Sequence, residues 1–574
     1  MGFRCKILWI ALLQNLLCSQ MVYSQQVLFS DSLGEYAENM FYSIAGKLEE
    51  KYIVFKAAPG ASPEFMVLDS ACKPVDKGTL TFIPANGLIK AITHSEDNSC
   101  HLFWQSLHGT EWYLHHSIVK DFKFSELTSA VVDSAVLPST FKYQPYFMRE
   151  SAGGGYMLLY KRAYDPSTEQ LLTSMIIVNT TSGEIAHGQI NMPFNKEFDL
   201  AGEVIADESG HVFTLTFDNP TNFRLSSTIR LYEYIPGKGQ IDYPEIIAKE
   251  KKPVGILMHP EPDLQRMVLV SLYYDFYSKN INGITGTRVS TRTLRYDSLF
   301  CFTFSKELKK QLNRYISGIS NDKAMNFLEL RDMISIKNDG LTVLAELYHQ
   351  SYTPNINLDL NSRSSLLQSA PSQTAFFPQQ TITAGGRGGR RGTSTPRGYG
   401  LSDPLATGPQ RSPNIDNSLF GPQPQSFNIN NIPVQYVSLL IQFDGTMQTS
   451  GNKILQNRLI PGNDYSSTYT TIHTGSLRQL VYDYKGGKVV LKCTVAGLEA
   501  DEFSQEILHG NRQHILLLNH SGSFESPTHL LTFYRNPENN SIGIAKLHWQ
   551  STSAHASNPP HNTVDESLQP PVKD

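Results

Sequence analysis

Along this chain one pattern of apolar and polar positions keeps returning: a short β-rich run, a polar turn, then a stronger apolar run. It appears in "MFYSIAGKLEEKYIVFKA" and "LIKAITHSEDNSCHLFWQSL", and again in "YFMRESAGGGYMLLYKRAY", "GEVIADESGHVFTLTFD" and "VGILMHPEPDLQRMVLVSLYYDF". Three more follow in "DMISIKNDGLTVLAELYHQ", "YTTIHTGSLRQLVYDYK" and "EILHGNRQHILLLNH". The second runs begin near residues 51, 100, 155, 211, 265, 341, 477 and 512. Between most repeats lie two further candidate strands, as in "SMIIVNTTSGEIAHGQI" and "IRLYEYIPGKGQIDY". Val, Ile, Tyr, Phe and Thr fill these runs while Gly, Asn, Asp and Ser bound them, which marks strands and turns. "SKELKKQLNRY" is the best helical candidate, and a turn followed by a strand explains it equally well.

Four strands recurring every ~50 residues predict an all-β fold, a β-propeller of seven or eight four-stranded blades. An array of β-sandwiches is the alternative, since strand spacing alone cannot show radial closure. An outer-membrane barrel fits less well, because many apolar runs are continuous rather than alternating. Two intervals are long. "SKNINGITGTRVSTRTLRYDS" reads as an insertion in the fifth unit, and residues 354–433 as a longer one in the sixth. The last interval is too short for a whole blade.

"DGLTVLAELYHQSYT" and, after the long insert, "YVSLLIQFDGTMQTSGNKIL" resemble a unit of uncharacterised exported bacterial proteins of propeller-like fold. The resemblance covers the middle and C-terminal units. It implies a propeller and brings no catalytic residues with it.

The N-terminus bears on compartment. Arg4 and Lys6 precede an apolar run from Ile7 to Leu17, and Val22 and Ser24 stand at −3 and −1 of a cut before Gln25. Residues 1–24 therefore read as a signal peptide, the run being too short to span a bilayer. No later stretch is apolar enough to cross as a helix, so no transmembrane segment is expected after cleavage. The expected location is exported: periplasmic, outer-membrane-associated or secreted. Cleavage removes two cations and no acid, leaving 47 basic against 53 acidic residues. A mildly acidic chain has no global pull toward nucleic acid or anionic lipid. Cys72, Cys100, Cys301 and Cys493 remain, enough for two disulfides of open connectivity or for ordinary core thiols.

The expected organisation is thus a propeller over 25–353 and 434–550, interrupted by a disordered Pro/Gly/Arg-rich insert at 354–433 and followed by a disordered tail at 551–574. The insert contains "TITAGGRGGRRGTSTPRGYG". Its six arginines and three aspartates give a net +3, and Tyr399 alone supplies local stacking. Such a segment falls short of the several phosphate contacts and aromatic platforms of nucleic-acid binders, so no nucleic-acid partner is expected.

Candidate chemistry is sparse. The chain has no G-x-S-x-G elbow, H-E-x-x-H zinc helix, phosphate loop or EF-hand loop. Turn carboxylates such as Asp207 and Glu208 read as solvated. One constellation stands out, in "HSEDNSCHLFWQSLHGTEWYLHHS". With His108-Gly109 as a two-residue turn, His101 faces His116, Phe103 faces Leu114 and Gln105 faces Trp112. Opposed imidazoles about 5 Å apart at Cβ could share a metal ion, with His94 or a carboxylate from another unit completing the site. The aromatic cluster Tyr273, Tyr274, Phe276 and Tyr277 offers stacking surface or plain packing. No cofactor is expected. The resulting expectation is a binding or scaffolding protein, not an enzyme, whose partner is an unknown protein or glycan. The alternative is a glycan-active hydrolase or lyase using carboxylates in the propeller funnel.

Overall fold

The continuous apolar runs have a direct structural cause. In the computed structural model, which describes residues 26–350 and 434–548 apart from short connecting segments, strands such as Ser99–His108, Val212–Asp218 and Arg266–Asp275 are buried on both faces. Residues 1–25, 351–433 and 549–574, which hold the whole of the expected leader, insert and tail, lie outside the described residues. Along Arg266–Asp275, Met267 and Leu269 enter one core while Val268, Val270 and Leu272 enter the next. A strand buried on two sides has no polar face to display, so alternation disappears.

Among the described residues eight antiparallel sheets follow one another along the chain. Sheet 1 comprises Phe41–Leu48, Lys51–Ala57, Glu64–Leu68 and Pro74–Thr79, and sheet 2 comprises Leu88–His94, Ser99–His108, Glu111–Lys120 and Ser129–Val136. Sheet 3 holds Phe147–Glu150, Tyr156–Asp165, Gln170–Asn179 and Ile185–Pro193. Sheet 4 holds Asp199–Ala206, Val212–Asp218, Ser226–Ile235 and Gly239–Asp242, with Ile246–Lys249 also paired to its third strand. Sheet 5 is Lys251–Glu261, Arg266–Asp275, Ile281–Ser290 and Phe300–Thr303; sheet 6 is Leu328–Ile336, Gly340–Gln350, Val434–Phe443 and Thr449–Arg458. Sheet 7 is Tyr469–Thr474, Leu477–Tyr484, Gly487–Thr494 and Gly497–Glu502. Sheet 8 takes Leu516–Ser526, His529–Asn536 and Ser541–His548 from the C-terminal part. Its fourth strand is Gln26–Phe29, from the other end of the chain, with Gly34–Glu35 adding a short second contact.

The short final interval comes from a misassigned strand, since the second strands of sheets 7 and 8 begin at Leu477 and His529. "QHILLLNH" was expected to supply a second strand, but Leu516 opens the first strand of sheet 8, and the second is His529–Asn536. The sheet needs only three C-terminal strands because the N-terminus donates one. The expected insertion in the fifth unit is corrected too: "INGITGTRVS" is the third strand of sheet 5. Its glycines looked like loop residues but sit under close neighbours. A Cβ on Gly283 would lie 2.0 Å from the Phe302 carbonyl oxygen, and one on Gly286 would lie 2.4 Å from that of Leu269. "KELKKQLN" is a helix, α1 (Lys306–Asn313), capped by the Ser305 hydroxyl accepting from Leu308 N at 3.1 Å. Leu308 and Leu312 of α1 are buried in the core between sheets 5 and 6.

Each described core lies between consecutive sheets. Ile53, Phe55, Leu102 and Trp104 join sheets 1 and 2; Phe103, Leu114, Met157 and Leu159 join sheets 2 and 3. Ile44, Tyr52 and Val54 of sheet 1 pack on Leu531, Phe533 and Ile544 of sheet 8. The first strands of sheets 1 to 6 contact one another in succession, as do those of sheets 7 and 8 and of sheets 8 and 1. Six of these first strands carry a register shift, at Ile44/Gly46, Ile89/Ala91, Ala201/Val204, Val254/Ile256 and Leu330/Asp332, and in sheet 8 at Leu518/Ser523 and Phe524/Ser526. Segment 351–433 joins two paired strands, Gln350 standing opposite Val434. Among the described residues no helix is long and apolar enough to cross a membrane.

Candidate functional site

The histidine pair is the first site to test. The hairpin register differs from expectation: His108 pairs with Glu111, so Gly109 and Thr110 form the turn. Gly109 has φ +64°, and a glycine at the first central position is what a type II′ turn requires. Every partner therefore moves by two. His101 faces Ile118, Phe103 faces His116, Gln105 faces Leu114 and Leu107 faces Trp112. A two-residue shift keeps each side chain on its expected face, so His101 and His116 become diagonal neighbours. They still meet, with His101 Nδ1 2.9 Å from His116 Nε2 and rings stacked at 5.1 Å.

That contact is a hydrogen bond, one nitrogen donating and the other accepting. A cation between them would require the shared proton to leave and a ring to rotate. The other His101 nitrogen, Nε2, lies 3.1 Å from the Ser99 hydroxyl. His94 sits opposite Cys100 on the neighbouring strand. Among the described residues no three His, Cys, Asp or Glu side chains are grouped to hold a metal ion. The next histidine, His115, stacks on Trp104 at 3.8 Å and lies 2.9 Å from the Ser106 hydroxyl through Nε2. Gly183 of sheet 3, at φ +73°, packs on His101; a Cβ there would come within 2.7 Å of the ring. The pair thus belongs to a close joint between sheets 2 and 3.

Burial, and then the neighbouring His101, push the His116 imidazolium down to about 4. The unfolded chain takes a proton at this position below about pH 6.5, whereas the folded protein resists protonation until about pH 4. The stability this residue contributes is complete above the upper limit and is lost as pH falls through the window. After discounting for partial exposure, the loss is about 1–2 kcal/mol. Thermal unfolding from pH 7 to 4.5 should therefore be steeper in pH for the natural protein than for His116→Gln. Parallel curves would show that the pair is not protonation-sensitive.

A second cluster was not legible from sequence. Asp207 was read as a solvated carboxylate beside Glu208, but it is 7 % exposed while Glu208 is exposed. Its Oδ1 accepts from Ser209 N at 2.8 Å and from His211 N at 2.9 Å. Asp69 and Asp444 cap their turns the same way, each bonding the amides two and four residues on. In all three turns the residue three on, Cys72, Gly210 or Met447, has positive φ. The pattern D-x-x-x-x at a hairpin was the available signal. Asp207 does not pair with Glu208. Instead His211 Nδ1 lies 2.9 Å from Glu233 Oε1 and 3.9 Å from Asp207 Oδ2, while the Tyr243 hydroxyl donates to Glu233 Oε2 at 2.6 Å. The Glu233 hydrogen bond raises the His211 pKa, and burial raises that of Asp207. This is a proton-holding knot: the carboxylates favour an imidazolium that is one-third exposed.

The remaining buried carboxylates are also committed. Glu203 Oε1 accepts from Met258 N at 2.6 Å, and its Oε2 lies 3.6 Å from Arg149 Nη2. Asp218 accepts from Thr228 N at 3.0 Å, and Glu261 is bonded to Arg266. The aromatic cluster resolves in part as packing: Tyr273 is fully buried, with its hydroxyl 2.9 Å from that of Thr303, and Tyr274 packs against the core. Phe276 and Tyr277 lie outside the described residues. Cys72 and Cys100 are buried core thiols and Cys301 is an exposed one, burial pushing Cys100 up to about 12.

No family model matches the chain, and no curated protein matches it in sequence. The resemblance to exported propeller-like proteins is therefore without support from these comparisons. Solved structures do show similarity. The WD40 domain of SCAP from fission yeast is 6% identical over 92% of this chain and 98% of that one, with a TM-score of 0.32. The Fusarium graminearum GH93 α-L-arabinofuranosidase with arabinobiose is 7% identical over 71% and 92%, at 0.29. A variant of the Synechocystis apocarotenoid oxygenase is 11% identical at 0.24, the match covering 51% of this chain and 66%, under two thirds, of the oxygenase. Propeller-type folds are thus among the similar structures.

Proposed function

We propose that the chain is an exported binding or scaffolding module built as a closed, eight-bladed propeller. Closure is supported by the pairing of Gln26–Phe29 with Ser541–His548, by the core that sheet 1 shares with sheet 8, and by the succession of first-strand contacts. Such a pairing of the two chain ends removes the open edge that a linear sandwich array would leave. Export rests on Arg4, Lys6 and the Val22/Ser24 pattern.

Binding rather than hydrolysis rests on one observation: the buried carboxylates Glu203, Asp207, Asp218, Glu233 and Glu261 are each bonded to a cation, a histidine or a backbone amide. Glycoside cleavage needs two carboxyl groups facing a scissile bond, about 5–9.5 Å apart. Carboxylates that hold turns and sheets together are poorly placed for it.

In a four-stranded meander the second-to-third connection lies at the end opposite the other two. Segment 351–433 makes that connection in sheet 6, across from the end that carries the Asp207 and Asp444 turns. Its arginines make an acidic glycan or protein surface the natural partner. The test incubates the purified mature protein with acidic polysaccharides and measures retention alongside reducing ends. Retention without release is expected. Release that disappears when a buried carboxylate is replaced would overturn the binding reading in favour of a hydrolase.

A further inference from the structure

We propose that the interface between sheets 3 and 4 binds a small monovalent anion of chloride size, held by Arg162 with the hydroxyls of Tyr160 and Thr173. The register brings these groups to one face. Tyr160 and Arg162 are two apart on their strand, and Thr173 stands directly opposite Arg162. Arg149, opposite Leu158, belongs to the same face. That face meets sheet 4, since Leu158, Tyr160 and Met175 share a core with Val204, Val212 and Tyr232.

Burial here is nearly complete: Arg162 is 5 % exposed, Tyr160 1 % and Thr173 0 %. A guanidinium has five N–H donors. Arg162 Nη2 uses two, donating to the Gly202 carbonyl at 2.7 Å and to Thr214 Oγ1 at 3.0 Å. Arg162 Nε and Nη1, the Tyr160 hydroxyl and the Thr173 hydroxyl have no hydrogen-bond partner. These four orphaned atoms all carry hydrogens they can donate.

Charge then selects the ligand. Glu203 is committed to Arg149 and to Met258 N, and among the described residues Arg162 makes no ion pair. The cluster of Arg149, Arg162 and Glu203 is left with one excess positive charge. Burial pushes the Arg162 pKa down, and Arg149 adds to that. Yet a guanidinium keeps its proton in proteins, so the charge cannot be shed as a lysine's can. Water would satisfy the donors without balancing the charge. A monovalent anion does both, whereas a dianion would overcompensate. Sheets packed face to face about 10 Å apart leave room for a single-atom ion more readily than for a tetrahedral one.

The test uses the full mature protein in sodium gluconate, titrated with sodium bromide at constant ionic strength while thermal unfolding is followed. The midpoint should rise in a saturable way, because an ion that binds only the folded state stabilises it by mass action. Thr173→Val, which removes one donor, should shift the half-saturating bromide concentration upward about tenfold. Arg162→Met should abolish the response. Should that variant fail to fold, Thr173→Val and the anomalous bromide signal from crystals grown in bromide still decide the matter. A bromide peak in contact with Arg162 is expected. Water at that position, or a midpoint indifferent to bromide, would overturn the proposal.

Discussion

A chain beginning at residue 36 should lose its cooperative thermal transition or melt at least ~10 °C below one beginning at residue 25. Gln26–Phe29 pairs residue by residue with His548–Ala545. Beyond the ladder, Ser30 N donates to the Ile544 carbonyl at 2.8 Å, and Ser30 Oγ accepts from Ile544 N at 2.8 Å. The Tyr534 hydroxyl donates to the Ser30 carbonyl at 2.8 Å, and its ring meets Phe29 edge-on at 5.3 Å. Each such bond contributes about 1 kcal/mol net, and a typical domain is stable by only about 5–15 kcal/mol. Removing the strand also bares an edge of paired chain, which invites association between molecules. A synthetic peptide covering residues 25–36 should restore part of the transition by strand addition. An unchanged melting curve for the shortened chain would mean that the two ends do not close one body.

Much of this architecture is readable from the chain because burial on two faces leaves a strong local mark. The second runs expected near 51, 100, 155, 211, 265, 341 and 477 correspond to the strands beginning at Lys51, Ser99, Tyr156, Val212, Arg266, Gly340 and Leu477. Reading failed where a partner is remote. The fourth strand of sheet 8 comes from the opposite end of the chain, which no local pattern reports. Gly283 and Gly286 looked like loop residues because the backbone that crowds them lies in neighbouring strands. At the candidate sites the same rule holds. His101 and His116 were brought together correctly, since a two-residue shift preserves the face, although the turn was misplaced. Asp207 was misread because the fold buries its turn, while the second carboxylate on His211, Glu233, lies on another strand. Arg162, buried with orphaned donors, left no trace in composition at all.

Replacing Glu203 by leucine should destabilise the protein by about 3–5 kcal/mol, more than any ordinary surface change. Glu203 is 2 % exposed and sits in the bulge between Ala201 and Val204, where the ladder is interrupted and the strand can re-aim a side chain. From there its carboxylate ties three sheets together: its own, sheet 3 through Arg149 at 3.6 Å, and sheet 5 through Met258 N at 2.6 Å. Leucine removes a charge partner and a backbone acceptor together, leaving a buried guanidinium without its carboxylate. Glu203→Gln keeps an acceptor for Met258 N and should fall between the natural protein and Glu203→Leu. The pairing itself is isolated by combining Glu203→Leu with Arg149→Met, because replacing both members of a buried ion pair by apolar groups is often near neutral. Urea unfolding of the four proteins, taken as a double-mutant cycle, should therefore show the double variant recovering most of the loss. If the two single losses simply add, Arg149 and Glu203 act separately and the carboxylate is not the tie between sheets 3 and 4.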